Sequence, residues 1–283
     1  MRTIRRVSEL RAAVCDQRAR GRRVGLVPTM GALHAGHLSL VQRARPECDL
    51  VVISLFVNPR QFGLGEDLAA YPRSEAADAA QAESAGADIL FVPTAQEVYP
   101  DGFSTSISVG DVAAPLCGAV RGPEHFAGVA TVVCKLLNMA SADIAYFGQK
   151  DAQQSVVIRR MVRDLDMPVR IEICPTVREP DGLAMSSRNA YLEPEQRRRA
   201  SGLNQALTAA EQAVAGGERN GSRVVELTRR QLAAHGLEPE YVELVCPETL
   251  HPVADVEGPV LLAVAAQVGR ARLIDNFVID PRK

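Results

Sequence analysis

Between Val24 and Val177 the chain alternates short apolar runs with stretches of helical periodicity. The runs Val24–Pro28, Leu50–Val57, Ile89–Pro93, Ile144–Phe147 and Val169–Cys174 predict strands. Several are apolar on successive positions, as strands covered on both faces are. Helical spacing falls on His37–Arg45, Arg73–Ala85, Phe126–Ala140 and Asp151–Leu165. At the N-terminus, Val7, Leu10, Ala13 and Val14 share one helical face, which predicts a packed first helix rather than a transit peptide. Strand–helix alternation implies right-handed crossovers and an open parallel sheet. Such sheets bind ligands beyond the carboxyl ends of their strands.

The tail has a different rhythm. Pro194–Ala215 and Ser222–His235 predict helices, broken at Ala215-Gly216-Gly217. Tyr241–Val245, Val260–Val268 and Arg272–Ile279 predict strands, with Gly269-Arg270 as a hairpin turn. The fold class expected is therefore α/β: a Rossmann-like parallel-sheet domain over residues 1–176, then a smaller α+β domain over 177–283.

Composition narrows the function classes. A net charge of −2 over 283 residues gives no global attraction to nucleic acid or an acidic membrane, so an anionic substrate has to be held by local groups. The six cysteines stand singly with no CxxC pair, against a zinc or redox site and in favour of reduced thiols in the cytoplasm. Core packing is their expected role. No apolar run is long enough for a signal peptide or a membrane span. Arg197–Arg199 reads as a solvated helix face.

Candidate chemistry begins at Met30-Gly31-Ala32-Leu33-His34-Ala35-Gly36-His37, directly after the first strong strand. The two histidines there stand at the turn into a helix, where free N–H groups and the helix dipole favour anions. Gly36 lets the backbone approach a phosphate, and two imidazoles three residues apart can donate to one phosphoryl group as charge accumulates on it. On the predicted domain boundary, Asp181-Gly182-Leu183-Ala184-Met185-Ser186-Ser187-Arg188-Asn189 offers two hydroxyls and a guanidinium suited to a loop closing over phosphates. Phe147-Gly148-Gln149-Lys150-Asp151-Ala152-Gln153-Gln154 is a second strand end opening a helix. Gly148 leaves room for a nucleotide and Lys150 neutralises phosphate charge, while Asp151 either binds a ribose hydroxyl or caps the helix. Gln61, in Phe56-Val57-Asn58-Pro59-Arg60-Gln61-Phe62-Gly63, and Gln154 suit a small polar substrate, although spacing leaves their convergence open.

Taken in order, VPTMGALHAGH, FVNPRQF, AYPR, HFAGV, FGQKD and PTVREPDGLAMSSRN closely resemble the pantothenate synthetase (pantoate–β-alanine ligase) family, from about Val24 to Leu192. A histidine element after the first strand with a distal Met-Ser loop is also similar to nucleotidyl-transferring relatives of class I aminoacyl-tRNA synthetases. The resemblance implies a C-terminal lid, a homodimer, ATP as a substrate and a need for Mg2+. It implies that Met30 to His37 bind ATP, with His37 the proton donor and His34 its phosphate-binding companion. Gln61 and Gln154 would hold pantoate, Gln61 also lying near β-alanine. Gly148, Gln149, Lys150, Asp151, Val177, Met185, Ser186, Ser187 and Arg188 would complete the nucleotide site, and Asp78 would contact β-alanine or a metal.

Two positions depart from the family pattern. The arginine usual three residues before the histidine of HFxGV is replaced by Gly122, with Arg121 one position earlier, and Ala152 stands where an aromatic is usual. A one-residue rearrangement of the loop would restore the guanidinium, and Ala152 would cost packing rather than chemistry. The activity implied is ATP-dependent condensation of (R)-pantoate with β-alanine through a pantoyl-adenylate. A small-molecule nucleotidyltransferase using the same histidine motif is the alternative, and a non-catalytic nucleotide-binding module the rival from another class.

Overall fold

A computed structural model describes residues 1–63, 68–69 and 71–282, so Ala70 of the AYPR motif lies outside the described residues. The elements are β1 (Arg2–Ile4), α1 (Val7–Ala19), β2 (Val24–Thr29), α2 (Ala35–Ala44), β3 (Leu50–Leu55), α3 (Glu75–Ser84), β4 (Ile89–Phe91) and α4 (Ala95–Val98). They continue with α5 (Cys117–Arg121), α6 (Pro123–Ala140), β5 (Ile144–Gly148), α7 (Ala152–Asp164) and β6 (Arg170–Cys174). The tail holds α8 (Pro194–Ala200), α9 (Gly202–Ala215), α10 (Gly221–Ala234), β7 (Pro239–Val245), β8 (Val260–Val268) and β9 (Ala271–Ile279).

β1 to β6 form one parallel sheet in the order β1-β4-β3-β2-β5-β6. The apolar runs that predicted strands are buried for the reason given: β3 has all six residues buried and β2 five of six. The sheet reverses its winding between β2 and β5. β2 pairs with β3 from Val24 to Thr29, but with β5 only at Gly25 and Leu26. The two central strands therefore part towards their carboxyl ends, opening the crevice that such a switch point offers a ligand.

β7, β8 and β9 form the antiparallel sheet of the tail, and Gly269 with φ +58° begins the two-residue turn between β8 and β9. Alternation along β8 feeds two cores. Leu261, Ala263 and Ala265 join the core of the parallel sheet, whereas Leu262, Val264, Ala266 and Val268 pack with α9 and α10 residues such as Leu203, Leu207 and Leu232.

Four details differ from the sequence expectation. β1 is a three-residue edge strand, too short to carry a periodic signal. The single helix expected over Pro194–Ala215 is two, α8 and α9, meeting at Ser201. Packing accounts for Cys48, Cys117 and Cys174, which are buried, but Cys15 is exposed. Nor is the arginine run simply solvated: Arg197 bonds Glu179 and Asp181, both at 2.8 Å, tying α8 to the Met-Ser loop.

Candidate active site

The loop after β2 is shaped from beneath. Gly31 (φ +87°) and Ala32 (φ +50°) adopt left-handed conformations, and Asp78 of α3 accepts from Ala32 N at 2.9 Å and Leu33 N at 2.7 Å. Asp78 is 3 % exposed and each carboxylate oxygen accepts one of these N–H groups, so it holds the loop in shape. Its position three residues into a helix gave no sign of this.

His34 is the N-cap of α2. Its Nδ1 accepts from Gly36 N at 3.2 Å, and a Cβ on Gly36 would lie 2.9 Å from the His34 ring. Glycine is therefore required here for the cap itself. Because Nδ1 accepts, a neutral His34 carries its proton on Nε2, the nitrogen left to donate to a ligand. His37 stacks against it with ring centroids 4.0 Å apart, and its buried Nδ1 has no hydrogen-bond partner. Burial, then the Lys150 charge, pushes His34 down to about 4. Burial, then His34 and Lys150, pushes His37 down to about 3. Both rings are neutral at pH 7 until an anion arrives among them.

Across the crevice, the loop after β5 supplies Gly148, Gln149, Lys150 and Asp151. A Cβ on Gly148 would meet nothing within 4 Å, which fits space reserved for a ligand. Asp151 stands at the N-cap position of α7 but makes no side-chain cap bond, and its carboxylate lies 3.9 Å from Lys150 Nζ. The loop is clamped from the tail: Asn276 of β9 donates to Gln149 O at 3.0 Å and Lys150 O at 2.9 Å, and Gln149 donates back at 2.9 Å. Nothing in the sequence marked Asn276, because only the tertiary fold brings it there. Gln153 is buried in bonds to Cys117 N, Val112 O and Pro115 O, fixing the segment before α5.

Two connected chambers fill the crevice. The smaller, about 190 Å³, is lined by His34, His37, Gly148, Val177 and Met185, with Val129, Val132, Val133 and Leu136 of α6 as its apolar wall. The larger, about 670 Å³, lies between the two sheets and carries Arg121, His125, Ser186, Arg188 and Arg272. Met30, Gln61, Lys150, Asp151 and Gln154 line both. Gln61 and Gln154 thus converge, which spacing had left open. Ser187 Oγ lies 3.4 Å from the hydroxyl of Tyr71, which lines the smaller chamber, and Arg188 lies 5.9 Å from the centroid of the same ring.

The shifted arginine is accommodated. Gly122, at φ +81°, turns the chain between α5 and α6, and Arg121 lines the larger chamber with Nη1 2.9 Å from His125 Nε2. His125 Nδ1 lies 2.8 Å from Gln61 O. The glycine of HFAGV has its own explanation. A Cβ on Gly128 would stand 2.2 Å from Arg60 O, so α6 lies directly on the backbone that carries Gln61. Ala152 is buried beside the larger chamber.

Comparison with known proteins agrees with this geometry. A family model described as pantoate-beta-alanine ligase matches residues 2–278. Pantothenate synthetase 1 of Bradyrhizobium diazoefficiens is 53 % identical over 282 residues, covering 99 % of each chain. The crystal structure of pantothenate synthetase from Thermus thermophilus superposes with a TM-score of 0.94 at 48 % identity, over 99 % of this chain and 100 % of that one. A pantoate-beta-alanine ligase from Francisella tularensis, complexed with beta-gamma ATP and beta-alanine, gives 0.82 at 31 % identity, over 100 % and 98 %. With its motifs in order, its crevice at the switch point and full-length relatives at this identity, the chain belongs to the pantoate–β-alanine ligase family.

Proposed function

We propose that this chain condenses (R)-pantoate with β-alanine at the expense of ATP, forming pantoyl-adenylate in the smaller chamber and discharging it to the amine. The observation that carries the reading is the meeting of a histidine pair, Lys150 and two glutamines around one crevice beside an apolar wall. A carboxylate cannot acylate an amine directly, because its leaving group would be oxide. Attack on the α-phosphorus of ATP expels pyrophosphate and makes AMP the later leaving group. No enzyme nucleophile is required, so positioning and charge stabilisation supply the catalysis.

In this scheme Met30 to His37 hold the triphosphate, with Nε2–H of His34 and the ring of His37 directed at phosphoryl oxygens. Lys150 and Arg188 neutralise the phosphates, Ser186 and Ser187 donate hydrogen bonds to them, Gly148 to Asp151 with Val177 and Met185 enclose the nucleoside, and Gln61 with Gln154 binds pantoate. His37, held neutral in the free protein mainly by burial, takes up a proton when the negative charge of the phosphates stabilises its cationic form, and so becomes the donor to the leaving group. The neighbouring apolar wall of α6 suits the hydrocarbon part of pantoate.

The acidic, histidine and cysteine side chains among the described residues form no group of three able to hold a metal. A magnesium ion here fits as one carried on the phosphates, with Asp151 the carboxylate shared by both chambers. When bound it would neutralise charge on the pyrophosphate. Division into residues 1–176 and 177–283, the second acting as a lid, belongs to the same reading, supported by the separate parallel and antiparallel sheets. Cytoplasmic location is supported by six unpaired cysteines, and the homodimer by family resemblance.

A coupled assay for AMP from ATP, pantoate and β-alanine tests the reading. AMP release that requires all three supports it, whereas a product retaining the nucleotide would point to a nucleotidyltransferase.

A further inference from the structure

Behind Gln61, at the wall of the smaller chamber, lies a chain of hydrogen bonds that the reaction scheme does not use. Asn58 is 1 % exposed, and both ends of its amide are engaged. Oδ1 accepts from Arg60 N at 3.3 Å and from Tyr99 OH at 2.8 Å. Nδ2 donates to Gly128 O and to Gln61 Oε1, each at 3.1 Å. We infer that Tyr99 and Asn58 are positioning residues that fix the Gln61 amide, so that Gln61 turns its N–H donor end to the acid substrate. This rests on Gln61 being a pantoate contact.

The polarity of the relay is set by the backbone. An N–H can only donate and a C=O can only accept, so Arg60 N and Gly128 O together determine which end of Asn58 is oxygen. A flipped Asn58 would face N–H against N–H and oxygen against oxygen inside a buried site. Gln61 must then present Oε1 to Asn58, and Nε2 is left facing the cavity. Its present neighbour is Met30 Sδ at 3.0 Å, a thioether and a weak acceptor, which a carboxylate or hydroxyl oxygen replaces at little cost.

Tyr99 is built to hold this bond. Its ring packs against Phe56 and Phe103, with centroids 6.1 and 5.1 Å away, and the Arg60 guanidinium lies 5.1 Å from its centroid. Burial pushes its hydroxyl up to about 12, so it stays protonated and donating across the working pH range. A Gln61 held this way offers its N–H to a carboxylate or hydroxyl oxygen at that place and opposes an ammonium or amide N–H there.

Tyr99→Phe, which keeps the ring and removes the hydroxyl, tests the relay. The pantoate KM should rise about five- to tenfold, the effect of one ordinary hydrogen bond, with kcat and the ATP KM held within about twofold. In a Gln61→Ala background the same change should add nothing, because the group it orients is gone. Gln61→Glu should weaken pantoate more than Gln61→Ala, since the cavity-facing atom becomes an anion. An unchanged pantoate KM in Tyr99→Phe, beside a raised one in Gln61→Ala, overturns the relay and leaves Gln61 as a substrate contact. An unchanged KM in Gln61→Ala removes that contact and the relay with it. Equal effects of Tyr99→Phe with and without Gln61 mean a structural role only, and Gln61→Glu binding pantoate like the parent reverses the assigned polarity.

Discussion

His34 and His37 are the residues at which local chemistry is most demanding. Their rings are neutral because burial and the Lys150 charge oppose protonation, His34 down to about 4 and His37 to about 3. The unfolded chain, with ordinary histidines near 6.5, binds more protons between those values and 6.5, so this pair contributes stability that is full above pH 6.5 and lost as pH falls towards 3. Urea denaturation across pH 3.5 to 7 should therefore show a steeper acid loss for the parent than for His34→Gln/His37→Gln. Identical slopes would mean that the rings are solvated. His37→Ala should leave a folded protein but lose roughly 3–4 kcal/mol of transition-state stabilisation, as removal of a phosphoryl-directed donor does. Near-normal turnover in a folded His37→Ala protein would take the histidine pair out of the mechanism. These residues were legible in the sequence because local spacing places them: a strand, a glycine-bearing turn and a helix start within ten positions. Asp78 and Asn276 were not, since each works on a segment distant in the chain, and Asn58 was not, since its role depends on Tyr99 and Gly128, which only the fold brings to it. Asp151 was ambiguous between cap and ligand in the sequence, and its missing cap bond removes the first of the two readings.

Elements were legible where their pattern was long. β8 spans Val260–Val268 as periodicity predicts, and the parallel-sheet strands fall within a few residues of their apolar runs. β1 is too short for a pattern, and the break between α8 and α9 interrupts no periodicity strong enough to reveal it. Packing between elements is a further step removed. HFAGV reads as part of an ordinary amphipathic helix, yet Gly128 is where α6 meets the backbone of Arg60 and Gln61. Gly128→Ala should cost about 1–3 kcal/mol by overpacking and raise the pantoate KM by moving Gln61. Thermal unfolding and initial-rate kinetics on the same preparation check both. Unchanged stability with unchanged pantoate KM would show that the contact relaxes freely.

Over the whole molecule, the tail sheet is bound to the parallel-sheet body by a shared apolar core and by polar clamps. Asp275 of β9, 1 % exposed, pairs with Arg178 at 2.6 and 2.9 Å, and the neighbouring Asn276 holds the Lys150 loop. Removing one partner of a buried pair strands the other, so Asp275→Ala should destabilise by about 3 kcal/mol, visible in the urea midpoint. No midpoint shift would mean that Arg178 finds water instead. Asp275 and Asn276 also line the larger chamber, and in the proposed scheme one crevice serves two half-reactions in sequence.

That sequence is the central claim, and exchange of labelled pyrophosphate into ATP tests it most directly. In the proposed scheme His34, His37, Lys150, Ser186, Ser187 and Arg188 serve the phosphates, and none of them requires the amine. With pantoate present and β-alanine absent, label should enter ATP, and pantoyl-adenylate should persist because the crevice shields it from water. Adding β-alanine should discharge it as pantothenate and AMP. Exchange that appears only when β-alanine is present would contradict the two-step account and require a concerted reaction of all three substrates.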